Sequence, residues 1–166
     1  MKRVAVLLLC LIIAFQTHHY FSHCTDDAFI FFRYAQNVAE GYGPVWNRVG
    51  MPVEGFSSPL WVLLLALGIH LGLSPMASSL CFGGLSLMGL FIVQWRLCVV
   101  LNMRRYGVVS LLLLSLMGTI YYWGFSGMET ALFACLFLAS IRSLIDGKGW
   151  WLFFRNVRLW YNFVSL

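Results

Sequence analysis

TDDAFIFFRYAQNVAEGYGPVWNRVGMPVEGFSSPLW, residues 25–61, is the one long polar stretch in a chain that otherwise reads as membrane. Four of the six acidic residues stand in it: Asp26, Asp27, Glu40 and Glu54. Apolar segments flank it on both sides, so it is expected to be a loop held at a membrane surface. The adjacent carboxylates Asp26 and Asp27 are then either a cation- or sugar-handling pair or an ordinary helix start.

Composition sets the class. The 166 residues are 61% hydrophobic, 17% aromatic and 10% charged, with a mean hydropathy of +0.82. A soluble domain carries about 25% charged residues, so the expectation is an all-α integral membrane protein. At roughly 20 apolar residues per crossing, the length allows about four to five transmembrane helices. The net charge of +5 comes from Arg and Lys at segment ends. No dense basic run of the kind that binds nucleic acid is present, and anionic membrane lipids are the expected partner of these charges. Cys10, Cys81, Cys98 and Cys135 lie inside apolar segments and Cys24 is alone in the loop; no disulfide or zinc spacing connects them.

The first apolar segment, 4–21, follows Met1-Lys2-Arg3. It lacks the small-x-small site of a cleaved signal peptide and reads as an uncleaved helix, with the N-terminus cytoplasmic and the loop 22–58 outward. Adjacent His18 and His19 point to different helix faces and read as interfacial residues. The second segment opens at Ser58-Pro59, an N-cap followed by proline at the first helical position, and runs only over 60–73. A third covers 76–101, with Ser79, Gly83, Gly84 and Gly89 suited to close helix packing. A fourth spans 107–123 and a fifth 130–145. If all of them cross, Arg104 and Arg105 fall outside and Glu129 inside, against the positive-inside tendency. The short second segment is the first candidate for an incomplete crossing. The tail 146–166 is basic and Trp-rich, which suits an interfacial segment, and its uncapped end reads as a truncation of the module formed by 1–145.

Within the loop, Thr25 is a candidate N-cap with Asp26 and Asp27 in the first helical turn, where the helix dipole favours carboxylates. Ala28, Phe31, Phe32, Ala35, Val38 and Ala39 form one apolar stripe of an amphipathic helix that ends at Gly41. Such a helix is expected to lie along the membrane surface with its Phe face down. Turns at 41–44 and 50–52 fold the loop back and bring Glu54 toward the Asp pair. Three converging carboxylates repel one another unless a cation compensates, and hard oxygen donors favour Mg²⁺ or Mn²⁺. Arg33 is a candidate partner for a phosphate or for a carboxylate.

The runs DDAFIFFRYAQNVAEGYGPVWN, VEGFSSPLW and SGMET resemble the start of bacterial polytopic glycosyltransferases of the GT-C superfamily, in particular the group containing the mycobacterial terminal arabinofuranosyltransferases. The resemblance rests on residues 26–30, 33–35, Asn37, 41–47, 53–61 and 126–130, with many fixed spacings, and covers about 1–145. It implies a polyprenyl-phosphate-linked sugar as donor and a glycan or lipid acceptor outside the bacterial inner membrane. It also implies that one of Asp26 and Asp27 is the general base that deprotonates the acceptor hydroxyl, with inversion at the anomeric carbon. Glu54 follows as a cation or sugar-hydroxyl partner, and Glu129 matches the acid of the family's Ser-Gly-x-Glu-Thr run, unless it is simply a helix-start acid. The enzymes resembled are much longer, so a chain of this length is expected to be inactive alone. The competing expectation is a non-catalytic membrane protein or transporter fragment. Transporters concentrate charge within spans, whereas here the acidic cluster is in a loop.

Overall fold

The structure is a computed structural model that describes residues 2–21, 23–49, 53 and 55–147. Among them it is all-helical: α1 (Lys2–Tyr20), α2 (Ala28–Ala39), α3 (Pro59–His70), α4 (Pro75–Val100), a short 3-10 turn (Arg104–Tyr106), α5 (Gly107–Leu116), α6 (Gly118–Phe125) and α7 (Thr130–Ile145). Helix starts follow local signals. Proline occupies the first turn of both α3 and α4, and the Ser74 hydroxyl caps α4 by accepting from the Ala77 amide over 3.1 Å. The basic tail 148–166 lies outside the described residues.

The expectation of four to five crossings is corrected by helix length. Among the described residues one helix, α4, is long and apolar enough to cross a membrane, or two if the bent pair ending in α6 counts as one span. At 1.5 Å per residue, the 12 residues of α3 reach about 18 Å and the 26 of α4 about 39 Å, against a hydrocarbon core of about 30 Å. The fourth apolar segment is likewise two helices rather than one, bent by 61° where Met117 takes ψ of 88°. Gly118, the next residue, sits where an added Cβ would meet the Tyr20 hydroxyl at 2.8 Å. The bend therefore carries α6 past the end of α1.

The expectation for the loop helix is corrected as well. The apolar stripe of α2 does not face a lipid surface. Ala28, Phe31, Phe32 and Ala35 are buried with Tyr34 against Trp61, Val62, Leu65 and Ala66 of α3. The two amphipathic and apolar helices thus form a hairpin that lies along itself. The start of α4 returns beside α2, where Ser74, Pro75 and Met76 share a cavity with Phe29, Phe32, Arg33 and Gln36.

From there the chain runs between two ends of a bundle. The first half of α4 meets the end of α6, with Gly83 against the Gly124 carbonyl. Its second half meets the start of α5, where Gln94 donates to Ser110 over 2.5 Å and Trp95 covers Gly107. Helix α7 packs most extensively on α4 and parallel to it, Gly89 lying against Cys135. The expectation that small residues of this segment serve close packing is met at Gly83 and Gly89, where any side chain would displace a neighbour. The end of α1 joins the end of α6 through Phe21 and Phe125, whose ring centroids are 5.6 Å apart. One end of the bundle therefore carries the α2–α3 hairpin and the turn 126–129, and the other carries Arg104, Arg105 and the start of α1.

Candidate functional site

Three stretches far apart in sequence meet at the hairpin end. Thr25 donates twice to the Ser126 carbonyl, from its amide over 3.0 Å and from its hydroxyl over 3.2 Å. Trp61, fully buried, donates its indole N–H to the Gly127 carbonyl over 2.9 Å. Ser57 donates its hydroxyl to Glu129 Oε1 over 3.3 Å. The turn that offers these acceptors needs glycine: Gly127 has φ of +88°, and a Cβ there would lie 2.5 Å from that of Ala28. Start of α2, start of α3 and start of α7 are thereby locked to one another.

Asp26 and Asp27 stand at this junction. Helix α2 begins at Ala28 with Asp27 as its N-cap residue, and the Asp27 side chain makes no capping bond. The expected cap, Thr25, instead spends its hydroxyl on Ser126. Both carboxylates are exposed and enter no ion pair among the described residues. Neither makes a side-chain capping bond, although both stand beside the amide end of α2, where the helix dipole favours carboxylates. The Asp26 charge reaches Cys24, whose thiol is pushed up by burial and, to a smaller extent, by that carboxylate.

The rest of the loop is organised from Asn37, which is completely buried. Its amide donates to the carbonyls of Val45 over 2.6 Å and Trp46 over 3.2 Å, and its oxygen accepts from Arg48 Nε over 3.2 Å. Arg48 also pairs with Glu40 and stacks on Tyr42. The hydroxyl of Tyr34 donates to Val53. Arg33, exposed, uses Nε on the Trp46 carbonyl over 3.1 Å, and no ion pair links it to Asp26 or Asp27 among the described residues. Its guanidinium borders the cavity of about 440 Å³ between α2 and α4.

Glu54 lies outside the described residues. Among those described, no group of three His, Cys, Asp or Glu side chains is arranged to hold a metal ion. The exposed Asp26 and Asp27 carboxylates present hard oxygens without a side-chain partner among the described residues, which fits part of a Mg²⁺ or Mn²⁺ ligand set. Glu129 occupies the N-cap position of α7, again without a capping bond. Its Oε1 is held by Ser57 and its Oε2 is buried with no partner. It lines a cavity of about 350 Å³ with Ser57, Ser58, Leu60, Thr130, Leu132, Phe133 and Leu136.

The structure thus brings Asp26, Asp27 and Glu129 to one end of the bundle and sets Arg33 further along α2. Sequence reading missed Thr25, Ser57 and Gly127 as the residues that assemble this end. The signal for Gly127 was its place in a turn between two apolar runs; the other two carried none. No protein-family model, curated protein or solved structure matches this chain.

Proposed function

We propose that this chain is a GT-C-like membrane glycosyltransferase, or a piece of one, transferring a sugar from a polyprenyl-phosphate donor to an extracytoplasmic glycan or lipid. The observation that carries the reading is the meeting of the three resembling runs. Thr25 next to the Asp pair, Ser57 and Trp61 of the SSPLW run, and the turn 126–129 form one junction although 101 residues separate Thr25 from Ser126. Runs selected only for local helix starts have no reason to bond one another.

In the proposed reaction an exposed carboxylate, Asp26 or Asp27, takes the proton of the acceptor hydroxyl as that oxygen bonds the anomeric carbon. The bond from that carbon to the phosphate oxygen breaks on the opposite face, so configuration inverts. The polyprenyl phosphate leaves with the bonding pair. Mg²⁺ or Mn²⁺, held by Asp26, Asp27 and Glu54, would offset the phosphate charge. Arg33, with a guanidinium bordering the α2–α4 cavity, is the proposed phosphate partner.

Membrane placement is part of the same proposal. Exposed apolar side chains cover α1 (Val4, Leu7, Leu11, Phe15), α4 (Leu85, Met88, Ile92) and α7 (Phe133, Phe137). Contiguous apolar surface on this scale is not left in water. With α4 crossing, the hairpin end faces the periplasm or exterior of an inner membrane, and Arg104 and Arg105 face the cytoplasm as the positive-inside tendency requires.

The test is incorporation of labelled sugar into envelope glycans in cells whose own gene carries Asp26→Asn or Asp27→Asn. Loss of incorporation in one or both, with unchanged protein level in the membrane, supports the reading. Unchanged incorporation in both sinks it.

A further inference from the structure

Two cavities open at the hairpin end, and their chemistry is opposite. The α2–α4 cavity counts the cationic Arg33 and the amide-bearing Gln36 among its lining residues. The cleft between α3 and α7 carries no cationic side chain: its polar rim is Ser57, Ser58, Glu129 and Thr130, and its wall is Leu60, Leu132, Phe133 and Leu136. The wall continues outward, since Leu60 is 49% exposed, Phe133 68% and Leu136 47%.

The rim decides what fits. A carboxylate is an acceptor only. The Glu129 carboxylate has one oxygen occupied by Ser57 and the other buried without a donor, although it stands at a helix start where its own backbone amides were available. A buried acceptor left unmade costs about 1–3 kcal/mol. A headgroup that donates hydrogen bonds suits this acceptor rim, whereas a phosphate placed against Glu129 adds like charge with no cation among the lining residues to balance it.

We infer that the α3–α7 cleft binds a neutral, hydroxyl-bearing amphiphile, its hydroxyls on Glu129 and Ser57 and its alkyl chain along Leu60, Phe133 and Leu136. The inference rests on the proposed transferase reading and deepens it: the cleft is the acceptor side, and the phosphate-bearing donor belongs to the Arg33 side. A hydroxyl held beside the Thr25–Ser126 junction is at the end of the bundle where the Asp pair stands.

The experiment uses the whole chain in phosphatidylcholine nanodiscs and an alkyl glucoside carrying a diazirine in its chain. After irradiation, adducts are mapped by mass spectrometry. Adducts on the segment 132–136, displaced by plain alkyl glucoside and not by alkyl phosphate, are expected. Glu129→Gln should lower this capture about tenfold, the loss of one charged hydrogen bond, and Leu136→Trp, which fills the cleft, should abolish it. Helical circular dichroism and unchanged modification of Cys24 show that each variant is folded. Equal displacement by alkyl phosphate, or loss in Leu136→Trp with none in Glu129→Gln, would leave a merely lipid-facing groove and overturn the inference. Because capture is read without sugar transfer, its failure is separate from failure of the Asp26 and Asp27 variants.

Discussion

Trp61 and Gly127, 66 residues apart, are joined by a 2.9 Å hydrogen bond from the buried indole N–H to the glycine carbonyl. The bond ties the first turn of α3 to the turn that precedes α7. It lies on the inner side of the same junction whose outer side carries the Asp26 and Asp27 carboxylates. Packing and candidate chemistry therefore share a support.

That support has a measurable stability. Trp61→Phe keeps most of the apolar contact with α2 but leaves the Gly127 carbonyl without its donor, which should cost about 1–3 kcal/mol. Gly127→Ala forces a side chain onto a backbone with φ of +88° and against Ala28, with a loss of about 1–3 kcal/mol. The two changes act on one junction, so the double variant should lose less than their sum. Thermal unfolding in nanodiscs reads all three.

The aspartates should behave in the opposite way. Neither carboxylate caps α2 or pairs with a cation among the described residues, so Asp26→Asn and Asp27→Asn should leave stability within about 0.5 kcal/mol. Sugar transfer should fall to background in at least one of them while membrane insertion is unchanged. Glu54→Gln, assigned a supporting part, should weaken transfer less. Stability losses as large as those at Trp61 would mark the aspartates as structural.

Cys24 reports on the same charge. Burial first, and the Asp26 carboxylate second, push its thiol above the ordinary range. The thiolate is the reacting form, so alkylation of Cys24 in a variant lacking the other four cysteines should set in at higher pH than for a free thiol. Asp26→Asn removes the smaller cause, and the onset should move down in pH without reaching that of the free thiol. An unchanged or upward-moving onset would show that the carboxylate does not face the sulfur.

Sidedness follows from the course of α4. An impermeant thiol reagent added outside should reach Cys24, whereas Met103→Cys, in a background without native cysteines, should react only after permeabilisation. Met103 is exposed just beyond the end of α4, beside Arg104. Reaction of both positions from one side would contradict a crossing by α4.

Local signals in the sequence were enough to place several helix starts, but not the break at Met117 or the end of α3 at His70. Ser58-Pro59 and the apolar run 130–145 each specify an element because caps, proline and periodicity act over a few residues. The apolar face of α2 and the small residues of α4 were legible for the same reason. What covers that face, and where each helix leads, was decided only by the tertiary structure. An apolar stripe has the same pattern whether lipid or another helix covers it, and here α3 covers it. The Tyr20 side chain closes on Gly118 beside the bend at Met117, and the junction of Thr25, Trp61 and Ser57 with Ser126, Gly127 and Glu129 depends on hydrogen bonds between residues 66–101 apart in sequence. Such contacts form only once the bundle brings its helix ends together, and no local pattern encodes them.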